Sequence, residues 1–289
     1  MAQKRRRRIR WDRVLLVFGP PVLLILILCV CCGKGGTDTG SSSPAEVVPV
    51  IQNSIADESA ADITQPAVHQ PNEYLIVLDP GHGGGDAGAL DSTGKRHEKD
   101  DNLRLSLAVR DELVKHPHVR VIMTRETDEF LELQERCDIA NNAKADFFVS
   151  LHRNSATDGD GVEIWVNNDA MDNTMDRKLA EYILELLDKA GISNNRGVHF
   201  GFRGSTAVTK SNNYYVNRNT DMPSCLVEMG FMNSWVDNKN FDEKLETYAA
   251  AIANALIEIG EDQGIYHADG SPRTTEPEET TATGEAALL

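Results

Sequence analysis

Residues 75–90 read LIVLDPGHGGGDAGAL, an apolar run that breaks into an acidic, glycine-crowded turn with His82 at its centre. An imidazole fixed in such a turn can serve as one corner of a metal site, whereas the glycines alone equally suit a phosphate cradle or a hinge. A phosphate loop needs its glycine turn to open directly onto a helix N-terminus, with Lys and Ser or Thr in place. Here the turn carries Asp86 and Asp91, and the first lysine after it is Lys95. The phosphate reading is therefore the weakest of the three.

Three other stretches carry groups that can act with His82. FFVSLHRNS places His152 just past an apolar run, RHEKDDNL sets Glu98 beside His97, and CLVEMGF holds Glu228 among apolar residues. A single histidine at a strand end is more often packed or hydrogen-bonded than a ligand. A carboxylate inside an apolar strand is harder to dismiss, because burying its charge unpaired is costly and demands a cation, a metal or a donor nearby. Alternation along a strand puts Glu228 and Leu226 on one face and Cys225 and Val227 on the other. Cys225 thus reads as core filler. Taken together, the residues describe metal-assisted hydrolysis at a strand-end site.

The elements that must position these groups follow from local patterning. Short runs rich in β-branched residues predict strands at Tyr74 to Leu78, Val119 to Thr124, Phe147 to Leu151, Gly161 to Val166 and Ser224 to Met229. Spacings of three and four predict helices through Leu103, Leu107 and Val114, through Leu133, Cys137 and Ala140, through Leu179, Ile183, Leu186 and Ala190, and through Leu245, Ile252, Leu256 and Ile259. Gly191 and Gly260 follow the last two helices as C-terminal caps. The expected fold is α/β, a single domain whose central, mostly parallel or mixed β-sheet is covered by helices on both faces. In such sheets functional residues gather at the carboxyl ends of the strands, which is where His82, His152 and Glu228 fall.

The chain ends read differently. Residues 1–13 hold seven basic residues against Asp12, and residues 14–32 are uncharged. A basic flank feeding a span of this length predicts a transmembrane anchor with the N-terminus in the cytoplasm; the rival is a cleaved signal sequence, since Pro20 and Pro21 leave Val22 to Cys32 as the uninterrupted run. Residues 33–72 are rich in Gly, Ser, Pro and Ala and read as a flexible linker, residues 73–266 as the catalytic domain, and residues 267–289 as a disordered acidic tail. The formal charge of −16 is carried unevenly, for everything after the basic flank sums to −22. A body this acidic is not expected to bind nucleic acid through its general field.

The segments VLDPGHGGGDAGA, HEKDDNL, FVSLHRNS, RGV and MPSCLVEMGFMNS occur together, and in this order the chain resembles the zinc-dependent N-acetylmuramoyl-L-alanine amidases of the Amidase_3 type, enzymes that cleave peptidoglycan. The resemblance covers residues 73–260. It implies one Zn2+ per catalytic site, held by His82, Glu98 and His152, with Glu228 as the catalytic glutamate. It also implies peptidoglycan as the substrate and the bond between N-acetylmuramic acid and L-alanine as the one cut. Arg153 and Asn154, which follow His152 where the family often has a small residue and Asn, are expected to bear on how substrate lies. Asp79 either orients His82 through its second ring nitrogen or caps the turn. Two other functions remain open at this level: a zinc peptidase acting within the stem peptide, and a catalytically silent peptidoglycan-binding domain.

Overall fold

A computed structural model of the chain describes residues 72–168, 174–204 and 209–273. The expected span at 14–32 and nearly all of the expected linker lie outside the described residues. Among the described residues, no helix is long and apolar enough to cross a membrane.

The body is a six-stranded sheet flanked by helices. In chain order the elements are β1 (Tyr74–Pro80), α1 (Glu98–Leu113), β2 (Val119–Met123), α2 (Leu133–Ala143), β3 (Phe147–Asn154), β4 (Val162–Val166), α3 (Met175–Lys189), β5 (Asn195–Phe200), a 3-10 turn at Lys210–Asn212, α4 (Tyr215–Asn219), β6 (Ser224–Phe231) and α5 (Trp235–Asp262). The strand order is β2-β1-β3-β6-β4-β5. All neighbours run parallel except β4 and β6. The sheet is mixed, as expected.

Strand alternation sorts the core into two layers. Tyr74, Ile76 and Leu78 of β1 join Phe147 and Val149 of β3 and Cys225 and Val227 of β6 in one cluster, to which α1, α3 and α5 contribute. Leu75 and Val77 join Phe148, Leu226 and Trp165 in the other, closed by Cys137 and Ala140 of α2 and Val216 of α4. Because both faces are covered, β1 is buried at every position and reads as a continuous apolar run. Cys137 and Cys225 are both buried free thiols.

Several elements differ from the sequence reading: β5 and α4 are additional, and Gly260, expected as a C-cap, is buried inside α5, which runs to Asp262. The buried stripe of α1 runs through Leu105, Val109 and Leu113, while Val114 is an exposed C-cap. Its first turn buries Glu98, Asp101 and Asn102, polar residues that a hydrophobic period passes over. At the other end the body continues past residue 266: Arg273 donates to the Asp146 carboxylate and to the carbonyl of Glu73.

Candidate active site

The parallel strands β1, β3 and β6 end on the same edge of the sheet, and that edge carries the site. β1 gives way to a loop whose first residues are tightly held. Arg125 donates to the carbonyls of Pro80 and Gly81, and Arg136 donates to those of Pro80 and His82, at 2.8–3.0 Å. His82 adopts a left-handed conformation with φ 62°. For a residue with a Cβ that costs on the order of 1 kcal/mol, which the anchored carbonyls offset. Gly83 and Gly84 then turn the chain so that Gly83 and Asp86 exchange backbone hydrogen bonds, bringing the Asp86 carboxylate back to His82.

His82, Glu98 and His152 converge with their ligand atoms all within 4.8 Å of one another. His82 Nε2 lies 3.2 Å and His152 Nδ1 2.9 Å from Glu98 Oε1. Glu98 is buried, and the backbone N–H groups of Ala89 and Arg153 donate to its two oxygens. Burial alone would push Glu98 up, but hydrogen bonds from both rings outweigh it and hold the carboxyl well below its usual range. For His82 burial favours the neutral ring; the contacts with Glu98 and Asp86 prevail and raise it to about 9.

This donor set fits a catalytic zinc. Two imidazoles and one carboxylate are a common trio for it, and three such atoms within 4.8 Å of one another can reach one ion with small side-chain adjustments. The second nitrogen of His82 is engaged as a metal-bound imidazole requires, with Nδ1 2.7 Å from Asp86 Oδ2. That partner is Asp86 and not Asp79. Asp79 is fully buried and accepts instead from Thr124, Ser150 and Arg136 at 2.7–2.8 Å. Its influence on His82 passes through Arg136 to the backbone.

Glu228 stands beside His152 across the β3–β6 register and beside Glu163 across the β4–β6 register. All three therefore share one face of the sheet. Burial raises Glu228 to about 7, with the charges of Glu98 and Glu163 adding to it and His152 and Arg203 opposing. Its Oε2 is buried without a hydrogen-bond partner among the described residues, as suits an acid whose partner is substrate or water. Glu163 is also buried, but Arg196, Trp165 and Asn154 donate to it, and its carboxyl is lowered against the pull of burial. The proton affinities of two carboxylates on adjacent strands are thus driven apart.

The strand parity that joins His152 to Glu228 turns Arg153 away. Its guanidinium is buried against Asp101 and Asn238 and lies 4.4 Å from the centroid of the Phe241 ring, so the expected contact of this side chain with substrate is corrected to a packing role. Asn154 returns to the site face and lines the cavity, donating to Glu163 at 2.7 Å. Sequence reasoning missed Asp86 as the partner of His82 and Glu163 as the neighbour of Glu228. The spacing of four between His82 and Asp86 was the available signal for the first; nothing local marks the second.

His82, Glu98, His152 and Glu228 all line a cavity of about 580 Å3, to which Phe130, Leu133, Tyr214 and Tyr215 add apolar surface.

The pattern of the N-acetylmuramoyl-L-alanine amidase family matches residues 76–258. The chain is 37% identical over 177 residues to the N-acetylmuramoyl-L-alanine amidase CwlM of Bacillus licheniformis, covering 60% of this chain and 61% of that one. It is 38% identical over 195 residues to the endolysin of Bacillus phage SPP1, covering 64% and 65%. It therefore spans less than two thirds of the length of either relative. A solved N-acetylmuramoyl-L-alanine amidase from Clostridium difficile 630 superposes with a TM-score of 0.59 at 29% identity, covering 67% of this chain and all of that one.

Proposed function

The chain belongs to the N-acetylmuramoyl-L-alanine amidase family, and from that premise we propose that it hydrolyses the amide bond between N-acetylmuramic acid and L-alanine in peptidoglycan, releasing stem peptides from the glycan. The observation that carries this reading is the convergence of His82, Glu98 and His152 in a cavity that also holds Glu228, a half-buried acid with a buried, unpartnered Oε2 on the strand beside His152.

The roles follow from the chemistry of the groups. His82, Glu98 and His152 would hold a single zinc ion, leaving a coordination position open to water or substrate. When bound, zinc supplies a Lewis acid that lowers the pKa of water and polarises the scissile carbonyl. Glu228 takes a proton from the attacking water and passes it to the amide nitrogen, which is otherwise a poor leaving group. A carboxyl raised to about 7 can both accept and release a proton near neutrality. Asp86 keeps the His82 ring in the tautomer that presents Nε2 to the metal.

Digestion of purified peptidoglycan by the zinc-loaded protein tests the reading. The expected products are intact stem peptides with a new L-alanine amino terminus, with no rise in sugar reducing ends. Cleavage within the stem peptide would instead make the protein a zinc peptidase, and binding without hydrolysis would make it a silent wall-binding domain. Full hydrolysis by the metal-free protein would overturn the mechanism. The substrate lies outside the cytoplasm, so the working arrangement is an exported body at 73–266 held at the membrane by residues 14–32, or secreted if that span is cleaved.

A further inference from the structure

The Glu163 carboxylate beside Glu228 is met by two arginines where one suffices. Arg196 Nε donates to Glu163 Oε2 at 2.7 Å and satisfies the pairing. Arg203 reaches Glu163 Oε1 only at 3.4 Å and gives its other amino group to the carbonyl of Ser155 at 3.1 Å. Both guanidinium groups lie over the face of Phe231, at 5.0 and 5.6 Å from its centroid, so their positions are set by packing as well as by charge. One of the two cations is enough for the Glu163 carboxylate, and Arg203, with 43% of its side chain exposed and its charge also felt by Glu228, is the one less committed to it.

The Arg203 guanidinium touches a residue that lines the catalytic cavity. Ser155, Asn154 and Tyr214 all line the cavity, and Arg203 donates to the Ser155 carbonyl at 3.1 Å. Among the described residues, Arg203 Nε and Arg196 Nη2 have no hydrogen-bond acceptor. In a chain of net charge −16, a fixed guanidinium with a free donor beside the site is placed for an anion on the substrate and not for general attraction.

Resting on the amidase reading, we propose that Arg203 is a specificity residue that binds the free carboxylate of the second, acidic residue of the stem peptide, the carboxylate nearest the bond that is cut. A guanidinium prefers a carboxylate over its carboxamide by a charge-assisted contact worth about tenfold in binding. The function of Arg196 is to keep Glu163 neutralised so that Arg203 stays available.

The test compares two N-acetylmuramoyl tripeptides that differ only in whether the α-carboxyl of the second residue is free or amidated. The zinc-loaded full-length protein is expected to favour the free acid about tenfold in kcat/KM, mainly through KM. In Arg203→Ala the preference falls to about one, and in Arg203→Lys part of it returns. Because the readout is a ratio within one variant, a general loss of folded protein does not imitate it. A wild-type ratio near one, or a preference that survives in Arg203→Ala, overturns the proposal. Binding of the corresponding released peptides to the zinc-free protein, followed by NMR line broadening, reads the same discrimination without turnover. Discrimination in binding with no hydrolysis of either substrate would sink the amidase reading and leave the Arg203 subsite standing.

Discussion

Glu228 and Glu163 are the same residue type on adjacent strands, and their surroundings give them different work. The first is half-buried, its Oε2 enclosed without a partner among the described residues, and raised to about 7; the second is buried among donors and lowered. Glu228→Gln keeps the shape and removes the proton transfer. Turnover should fall by roughly 10²–10⁴, the span of general acid–base contributions, while the zinc content stays at one per chain. His82→Ala and His152→Ala should lose metal together with activity. Metal analysis beside the rate measurement separates the two classes, and a Glu228→Gln protein that turns over normally would remove Glu228 from the mechanism. The sequence made Glu228 legible because a carboxylate in CLVEMGF has no apolar excuse. Glu163, in GVEIWV, passed unmarked because its partners Arg196 and Arg203 arrive 33 and 40 positions later along the chain. Arg153 was misjudged although the parity that set Cys225 apart from Glu228 applies equally to Arg153 and His152.

At the scale of elements, the site depends on how the β1–α1 loop is fastened to β3. Gly81 packs so closely on the His152 ring that a Cβ built there would lie 2.1 Å from it. Gly81→Ala must displace that ring, and zinc affinity should drop by on the order of 10–100-fold, the range seen when the support of a ligating histidine is disturbed. Chelator competition measures this, with circular dichroism reporting whether the fold is kept; wild-type affinity in a folded Gly81→Ala protein would contradict the packing. The other fastening is the buried pair of Asp79 and Arg136. Burial alone would raise Asp79, yet the Arg136 charge and the hydrogen bonds from Ser150 and Thr124 outweigh it and lower its pKa. A lowered folded pKa means that ionised Asp79 contributes stability above its unfolded value near 3.8, and that this contribution is lost as pH falls through the folded value. Asp79→Asn should therefore cost about 3–5 kcal/mol at neutral pH, and the penalty should shrink on acidification. Urea unfolding of both proteins across pH checks it, and a penalty independent of pH would assign the effect to hydrogen bonding alone. Five of the six strands were legible because they are runs of β-branched and apolar residues, even in β2, an edge strand that is only half-buried. β5, NRGVHF, was not, because as a half-exposed edge strand carrying Arg196 and Gly197 it lacks the apolar alternation of its neighbours. The five residues of α4 are too few to show a helical period.

For the whole molecule, the division of charge decides how the protein can be held where its substrate is. Everything after residue 13 sums to −22, so the folded body has no general electrostatic attraction for an anionic membrane or wall polymer. We propose that retention comes from residues 14–32, whose nineteen uncharged residues would extend about 28 Å if helical, close to the thickness of a bilayer core. The seven basic residues before them add attraction to anionic headgroups, but attraction of that kind is screened by salt, whereas burial of an apolar span is not. The two contributions can therefore be told apart by how the protein is released. Full-length protein in isolated membranes should resist washing with about 1 M salt, at which the screening length is roughly 3 Å, and should be released by detergent. Deleting residues 14–32 while keeping 1–13 should convert it to a form that salt removes or that does not bind at all. Recovery of the full-length protein in the salt wash would reduce the N-terminus to a basic tether. Appearance in the medium with a new amino terminus beyond residue 32 would instead favour the cleaved signal, in which case the acidic body must find its substrate without a membrane tether, through contacts at the cavity and the Arg203 site beside it.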